Sequence, residues 1–205
     1  LKKYMPITWI TFLIGSLALI GTPLFSGFYS KDSLIEAVKL SDISGSHFAY
    51  FSVLVGVFVT AFYSFRLYFL VFHGKEKWRL QKLTHHDDHH YGLTPKDNPH
   101  ESPLSVTLPL VLLAIPSVVI GFMTIEPILF GSFFSKSIFL DIEAHPTMEL
   151  LSHHFHEIYH GPFGMALHSI ISLPFLFALS GVALAYYCYE VNLNLPKTIF
   201  NRTQT

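Results

Sequence analysis

The sequence predicts an all-α polytopic membrane protein with four transmembrane segments, the first of them a discontinuous helix. Of its 205 residues, 51% are hydrophobic and 13% are charged, well below the roughly 25% charged residues of a soluble globular domain. Charges and histidines collect in a few segments between long apolar runs. Each run approaches or exceeds the roughly 20 helical residues that cross a bilayer. We therefore expect the apolar surface to face lipid and neighbouring helices.

Polar residues or turn signals bound each of the four predicted spans. The spans are Pro6 to about Tyr29, Phe48 to Phe72, Pro103 to about Met123, and Met165 to Glu190. Histidine-rich loops at residues 73–102 and 141–163 and a short loop at 40–47 separate them. The sequence opens with LKKYMP and lacks an initiator methionine or a signal-peptide pattern, so we expect it to be a fragment of a longer chain.

The basic residues predict the orientation, because cytoplasmic loops of membrane proteins are enriched in lysine and arginine. Four crossings place both termini and the second loop on one side, which then holds nine of the 13 basic residues. The opposite loops hold only Lys39 and Lys136. Both fragment termini are therefore predicted to be cytoplasmic. One broken first crossing fits this count better than a hairpin that crosses twice.

Gly21, Pro23 and Gly27 fall within seven residues of the first apolar run and predict a break in its helix. Inside a bilayer, non-helical backbone is tolerated only where protein or a water-filled cavity covers it. Transporters place such discontinuous helices beside their ion sites, since the ends of the half-helices carry partial charges. A break here therefore favours an ion-conducting role.

Lys31 and Asp32 follow the predicted break directly. We expect Ser30 to cap the second half-helix, so that both charged residues lie in its first turn. The helix dipole there favours Asp32 and disfavours a protonated Lys31, and a lysine so placed can exchange protons. A second interpretation stays open. An unbroken helix from Pro6 would carry Lys31 about 37 Å along its axis, past a core about 30 Å thick, where it would reach the interface.

Three further ionisable residues are candidates for supporting a proton pathway. Glu36 shares a helical face with Asp32 and Lys39, and this face lines a hydrated passage or forms a solvated surface stripe. Arg66 lies near the end of the second span, where it extends to the lysine-rich loop or holds a carboxylate or backbone carbonyls within a helix bundle. His168 enters the fourth span, either as a proton-transfer group or in a hydrogen-bonded structural role.

Two histidine motifs raise the question of a metal. HEIYH at residues 156–160 matches the zincin pattern of a metalloprotease, but Gly161 and Pro162 end any helix directly after it. THHDDHH at residues 84–90 lies in a polar loop with no hydrophobic run to fix a site. The sequence also has no phosphate-binding loop and a single cysteine, Cys188. We predict no metal, cofactor or redox centre in this chain, and no nucleic-acid partner.

Residues 1–32, LKKYMPITWITFLIGSLALIGTPLFSGFYSKD, resemble the second broken helix of the subunit L family of proton-pumping NADH-quinone oxidoreductase, or respiratory complex I. This family includes mitochondrial subunit five and is related to Mrp-type cation/proton antiporters. The segments FYSFRLYFLVFHG, HESPLSVTLPLVLLAIPSVVIG and ALHSIISLPFLFALSGVALAYY look like its next three helices. The resemblance is to the C-terminal part of the family and is weak across the histidine-rich loops.

The resemblance implies that residues 1–205 are a fragment of one antiporter-like membrane domain in a bacterial inner (plasma) membrane. Its function would be proton translocation in the membrane arm of complex I, with the other membrane-arm subunits and the lipid bilayer as partners. NADH, flavin, iron–sulfur clusters and quinone would belong to other subunits. The GFYSKD motif implies that Lys31 lies on the outlet side of the proton path, beside Asp32. The alternatives are a subunit of a multi-subunit sodium/proton antiporter, a membrane metalloprotease or a purely structural bundle.

Overall fold

The computed structural model describes residues 1–76, 79, 98–131, 133–134, 137–138, 153 and 160–203. Across these residues the chain is helical and forms no strand, which confirms the predicted all-α fold. The helices are α1 Pro6–Ile20, α2 Ser26–Lys39, α3 Ser46–Tyr68, α4 Leu104–Ile125, α5 Gly161–Ser169, α6 Leu173–Tyr186 and α7 Leu195–Thr203. Single π-helical turns at Phe69–His73, Glu126–Phe130 and Tyr187–Val191 extend α3, α4 and α6.

Membrane-length apolar helices make up most of the described structure. Ser46–His73, Leu104–Leu129 and Leu173–Val191 are long and apolar enough to cross a membrane, and Pro6–Ile20 is a shorter apolar helix. Apolar side chains cover most of the outer face of α4 and are exposed. Such a surface fits contact with lipid or other membrane helices, and the chain is a multi-pass membrane protein.

The first predicted span is discontinuous, as expected. α1 ends at Ile20, and Gly21 takes a left-handed backbone with φ of 79°. Gly21 donates its N–H to the Ala18 carbonyl at 3.2 Å, and Thr22 donates to the Leu17 carbonyl at 3.1 Å. These two hydrogen bonds form a Schellman motif, which uses glycine because the left-handed region is open to it without steric cost.

The second half-helix starts earlier than expected. α2 begins at Ser26, with Phe25 in the N-cap position and no side-chain cap. Ser30 lies inside α2, where its hydroxyl donates to the Gly27 carbonyl at 3.4 Å, so the prediction that Ser30 caps this helix is wrong. Gly27 permits the early start, since a Cβ added there would lie 2.0 Å from the Ala18 carbonyl oxygen. Lys31 therefore lies in the second turn of α2.

The fourth predicted span is also divided, which the sequence analysis did not anticipate. α5 ends at Ser169, and Ile170–Ser172 connect it to α6. Ser172 is the N-cap of α6, and its Oγ accepts a hydrogen bond from the Phe175 backbone N–H at 3.5 Å. Pro174 occupies the first turn, where a missing N–H does no harm. A serine followed by an early proline was the local signal for this start.

Small residues allow the closest helix contacts. A Cβ added to Gly181 on α6 would lie 2.5 Å from the Phe58 carbonyl oxygen and 2.9 Å from Ala61 Cβ on α3. A Cβ added to Gly121 on α4 would lie 2.5 Å from the Cα of Ser26, at the start of α2. Membrane helices associate largely through such close packing, because lipid provides little hydrophobic drive between them. α4 therefore packs closely on the start of α2, and α6 packs closely on α3.

Candidate functional site

Lys31 connects the two half-helices of the broken segment. Its Nζ donates a hydrogen bond of 2.8 Å to the carbonyl oxygen of Leu19, in the last turn of α1. The last four carbonyls of a helix lack partners within the helix and carry partial negative charge. The Schellman motif satisfies the carbonyls of Leu17 and Ala18. Lys31 satisfies the next one, so a side chain of α2 caps the C-terminus of α1.

This placement reverses the helix-dipole argument made from the sequence. The sequence suggested that Lys31 would lie at the positive N-terminal end of the second half-helix. Because α2 begins at Ser26, Lys31 has moved away from that end, and its ammonium instead meets the negative end of α1. That contact favours the charged amine rather than disfavouring it.

The stem of Lys31 lies along the glycine at the break. A Cβ added to Gly21 would lie 3.3 Å from Lys31 Cδ and 3.9 Å from Lys31 Cβ. A side chain at this position would therefore push against the lysine as well as strain the left-handed backbone. Gly21 thus serves both the helix end and the position of Lys31.

Lys31 and Asp32 line one small cavity. It has a volume of about 20 Å³ and lies between the broken helix, Val57 on α3 and the start of α6, where Ser172 also lines it. Both charged residues are partly buried. The structure thus brings the two predicted proton-transfer residues to the same cavity at the helix break. It adds Ser172, whose contribution could not be inferred from the sequence because it is 140 residues further along the chain.

Glu36 lies one helical turn beyond Asp32 on α2. Its Oε1 is 2.8 Å from Lys39 Nζ, so these two residues form a salt bridge near the C-terminus of the helix. Asp32 is within electrostatic reach of both members of this pair. Charged groups therefore continue from the break along α2 towards the loop at residues 40–47.

Arg66 and His168 lie apart from this cavity. Arg66 is exposed on α3, with its guanidinium carbon 5.6 Å from the ring centre of Tyr189. This distance fits a cation–π interaction, which links α3 to the π-helical turn after α6. His168 is exposed in the last turn of α5. Neither residue lines the cavity shared by Lys31 and Asp32.

The metal-binding motifs fall largely outside the described residues. THHDDHH lies wholly outside them, and only His160 of HEIYH is described. Among the residues that the structure describes, no group of three or more His, Cys, Asp or Glu side chains could hold a metal ion.

Glu101 makes a structural contact with the N-terminal end of α1 that sequence reasoning missed. Its Oε2 accepts a hydrogen bond of 2.8 Å from the Ile7 backbone N–H, and its Oε1 accepts one from the Thr8 hydroxyl. A carboxylate is thereby held at the positive N-terminal end of α1. Slight burial acts to raise the pKa of Glu101, but the hydrogen bonds from Thr8 and Ile7 outweigh it and lower the pKa below its ordinary value.

Comparison with known proteins places the chain in a family. The family model described as NADH:quinone oxidoreductase/Mrp antiporter, TM, matches residues 1–63. NADH-quinone oxidoreductase subunit L of Neisseria meningitidis serogroup A / serotype 4A is 57% identical over 202 residues, which are 97% of this chain and 29% of that protein. NAD(P)H-quinone oxidoreductase chain 5 of Picosynechococcus sp. is 39% identical over 154 residues, 73% of this chain and 22% of that protein.

The chain thus spans less than a third of the length of these curated relatives. The similarity to the first relative nevertheless extends over nearly all of it, including the broken helix, the cavity beside it and the helices that follow. The chain belongs to the family of NADH-quinone oxidoreductase subunit L and its chain 5 relatives.

Proposed function

We propose that this chain translocates protons as part of the membrane arm of a proton-pumping NADH-quinone oxidoreductase. NADH oxidation and quinone reduction, with their flavin and iron–sulfur cofactors, take place in other subunits. The partners are the other membrane-arm subunits and the lipid of a bacterial inner membrane, with both ends of the chain on the cytoplasmic side. The observation that carries this proposal is the position of Lys31, which bridges a broken membrane helix and lines a cavity with Asp32.

The geometry supports a simple role for each group. The ammonium of Lys31 is held by the Leu19 carbonyl at the negative end of α1, an interaction typically worth about 0.3–1 kcal/mol for a charge at a helix end. When Lys31 passes its proton on, that charge–dipole attraction is lost. Asp32 is the adjacent carboxylate on the same cavity. Glu36, paired with Lys39, continues the charged face of α2 towards the outlet.

A sodium/proton antiporter subunit is the second candidate, because the matched family model covers Mrp antiporters as well. The 57% identity to a protein named NADH-quinone oxidoreductase subunit L favours the first proposal. Replacing sodium with potassium in the pumping assay separates the two, since only an antiporter activity would require sodium.

The test is NADH-driven proton pumping in membrane vesicles that carry the full-length subunit. Lys31→Ala removes both the charge and the exchangeable proton. Lys31→Arg keeps a cation and donors for the Leu19 carbonyl, but its guanidinium cannot be deprotonated in a protein. Lys75→Ala is the control, since Lys75 is exposed beyond the end of α3.

We expect both Lys31 variants to lose most pumping per assembled complex, and Lys75→Ala to retain it. Normal pumping by Lys31→Arg would show that only the charge at the helix end matters, and would refute proton exchange at Lys31. Normal pumping by Lys31→Ala as well would show that Lys31 is not part of the proton pathway.

A further inference from the structure

The last turns of α3 and α6 meet at the same end of the structure. Each helix continues into a single π-helical turn, Phe69–His73 after α3 and Tyr187–Val191 after α6. Such turns use i→i+5 hydrogen bonds, are rare and frequently occur at functional sites. The Phe69 ring packs edge-on against the ring of Tyr186, with 5.7 Å between the ring centres. The two helix ends therefore form one contact, on the side of the membrane that the sequence predicts to be cytoplasmic.

A histidine and a glutamate join these two turns. His73 Nδ1 lies 3.2 Å from Glu190 Oε1, and each side chain is 29% exposed. That oxygen is itself buried, and among the described residues it makes no hydrogen bond of good geometry. The His73 ring also packs against two aromatic rings, with its centre 5.3 Å from that of Tyr68 and 5.7 Å from that of Phe69. A titratable base thus lies against a carboxylate oxygen that lacks a hydrogen-bond donor.

We propose that His73 and Glu190 form a proton-binding site that fastens the ends of α3 and α6 to each other when His73 is protonated. Histidine is the side chain that ordinarily changes its charge between about pH 5 and pH 8. A charged imidazole carries a proton on both ring nitrogens. Protonation therefore gives Glu190 Oε1 a charge-assisted donor, whichever tautomer the neutral ring takes. The site is separate from the cavity at Lys31 and independent of proton transfer there.

The contact between the two turns strengthens as the pH falls. A charged imidazole attracts the Glu190 carboxylate, and that attraction is lost when the imidazole releases its proton. The proton comes from the adjoining water, one N–H bond forms and Glu190 stays ionised. Partly exposed ion pairs of this kind change an equilibrium by about 1.5- to fivefold. α3 and α6 also line the cavity beside Lys31, through Val57 and Ser172, so the pair fastens two helices that border it.

Other titratable groups near the pair determine which controls are needed. Those described are Arg66, Tyr68, Lys75 and Glu76 on or after α3, Tyr186, Tyr187 and Tyr189 on the α6 side, and Lys2 and the Leu1 amino group from the N-terminal segment. Lysine, arginine, glutamate and tyrosine ordinarily keep their charge between about pH 5.5 and pH 8. The Leu1 amino group, which donates to the Phe72 carbonyl at 3.3 Å, is the exception. Burial lowers its pKa below the ordinary value, more than the attraction of Glu76 raises it.

The test measures amide hydrogen exchange at the two turns, in the assembled complex with the full-length subunit, at about pH 5.5 and pH 8. Amide exchange reports local opening of a helix end. Because the chemical exchange step itself depends on pH, each variant is compared with the wild type at the same pH. His73→Gln and Glu190→Gln each remove one partner of the ion pair and leave a polar side chain. His73→Lys provides a cation at both pH values.

His47→Gln is the matched control, because His47 is exposed near the opposite end of α3. At pH 5.5 we expect the wild type and His47→Gln to exchange about 1.5- to fivefold more slowly at both turns than His73→Gln or Glu190→Gln. At pH 8 we expect these four proteins to exchange alike, whereas His73→Lys stays protected at both pH values. Combining His73→Gln with Glu190→Gln should add no further loss of protection.

Three results would overturn the proposal. The first is equal exchange of the wild type and His73→Gln at pH 5.5. The second is a pH effect that survives in His73→Gln, because it would belong to the Leu1 amino group or to another neighbour. The third is faster exchange along the whole of α3 in His73→Gln, including its start at Ser46, because the imidazole would then support the fold in general. None of these results bears on Lys31, whose role is tested by proton pumping.

Discussion

The substitution Gly27→Ala tests whether the geometry of the break controls the position of Lys31. The added Cβ would lie 2.0 Å from the Ala18 carbonyl oxygen, whereas real Cβ atoms essentially never approach closer than 3.0 Å. Both neighbours are backbone, so the contact cannot be relieved by a side-chain rotation. The start of α2 must therefore move away from the end of α1 by about 1 Å.

That shift is enough to break the contact made by Lys31, which lies one turn further along α2. Its Nζ is 2.8 Å from the Leu19 carbonyl oxygen, and a displacement of about 1 Å takes this distance to about 3.8 Å, beyond hydrogen-bonding range. Overpacking of this kind typically costs about 1–3 kcal/mol. The lysine side chain would have to extend or release the helix end.

The assay is proton pumping per assembled complex, with Gly15→Ala as the control. Gly15 is on α1, and a Cβ there would meet nothing within 4 Å. We expect Gly27→Ala to lose at least half of the pumping rate and Gly15→Ala to retain it. Equal pumping by the two variants would refute the idea that close approach of the half-helices positions Lys31.

Two further predictions concern the packing around the site. Glu101→Gln should remove a pH-dependent part of the stability, because hydrogen bonds lower the pKa of Glu101 in the folded protein. The stabilisation by the Glu101 carboxylate is fully present above the unfolded pKa of about 4.3. It is lost as the pH falls through the lower pKa of the folded state. Melting temperatures of the solubilised complex from pH 7 to pH 3 should fall less steeply in this variant, and an unchanged profile contradicts the assignment. Gly181→Ala places a Cβ 2.5 Å from the Phe58 carbonyl oxygen, so it should reduce stability by about 1–3 kcal/mol and lower the amount of assembled complex. Gly56→Ala, where a Cβ meets nothing within 4 Å, is its control, and equal assembly of the two variants would contradict close packing of α3 on α6.

The sequence predicted the fold class because composition and the length of apolar runs depend on the surrounding solvent rather than on tertiary detail. It also predicted the first break, because the glycines there meet local requirements. Gly21 takes a left-handed backbone, and Gly27 allows a close backbone approach. The start of α2 was misplaced because Ser30 is a good cap by residue type. The contact of Gly27 with α1 decided the boundary instead.

The remaining features depend on contacts between distant parts of the chain. Glu101 reaches Ile7 across 94 residues, and Ser172 lines the same cavity as Lys31 only because α6 packs on α3. Neither pairing leaves a periodic or compositional signal. The sequence around Ser172 indicates an N-cap, but it does not indicate that Ser172 lines a cavity.

α1 has a charged side chain from outside the helix at each of its ends. Glu101 holds a carboxylate at its positive end and Lys31 holds an amine at its negative end, and both contacts come from outside the helix. The contact of Glu101 is independent of the proton on Lys31, whereas that of Lys31 is strongest when the amine is charged. On the proposed proton-transfer role, a neutral Lys31 would hold the C-terminal end of α1 less strongly, whereas the contact of Glu101 at the other end would remain. Since that end of α1 is the helix break itself, the proposed proton transfer would couple the charge of Lys31 to the separation of the two half-helices.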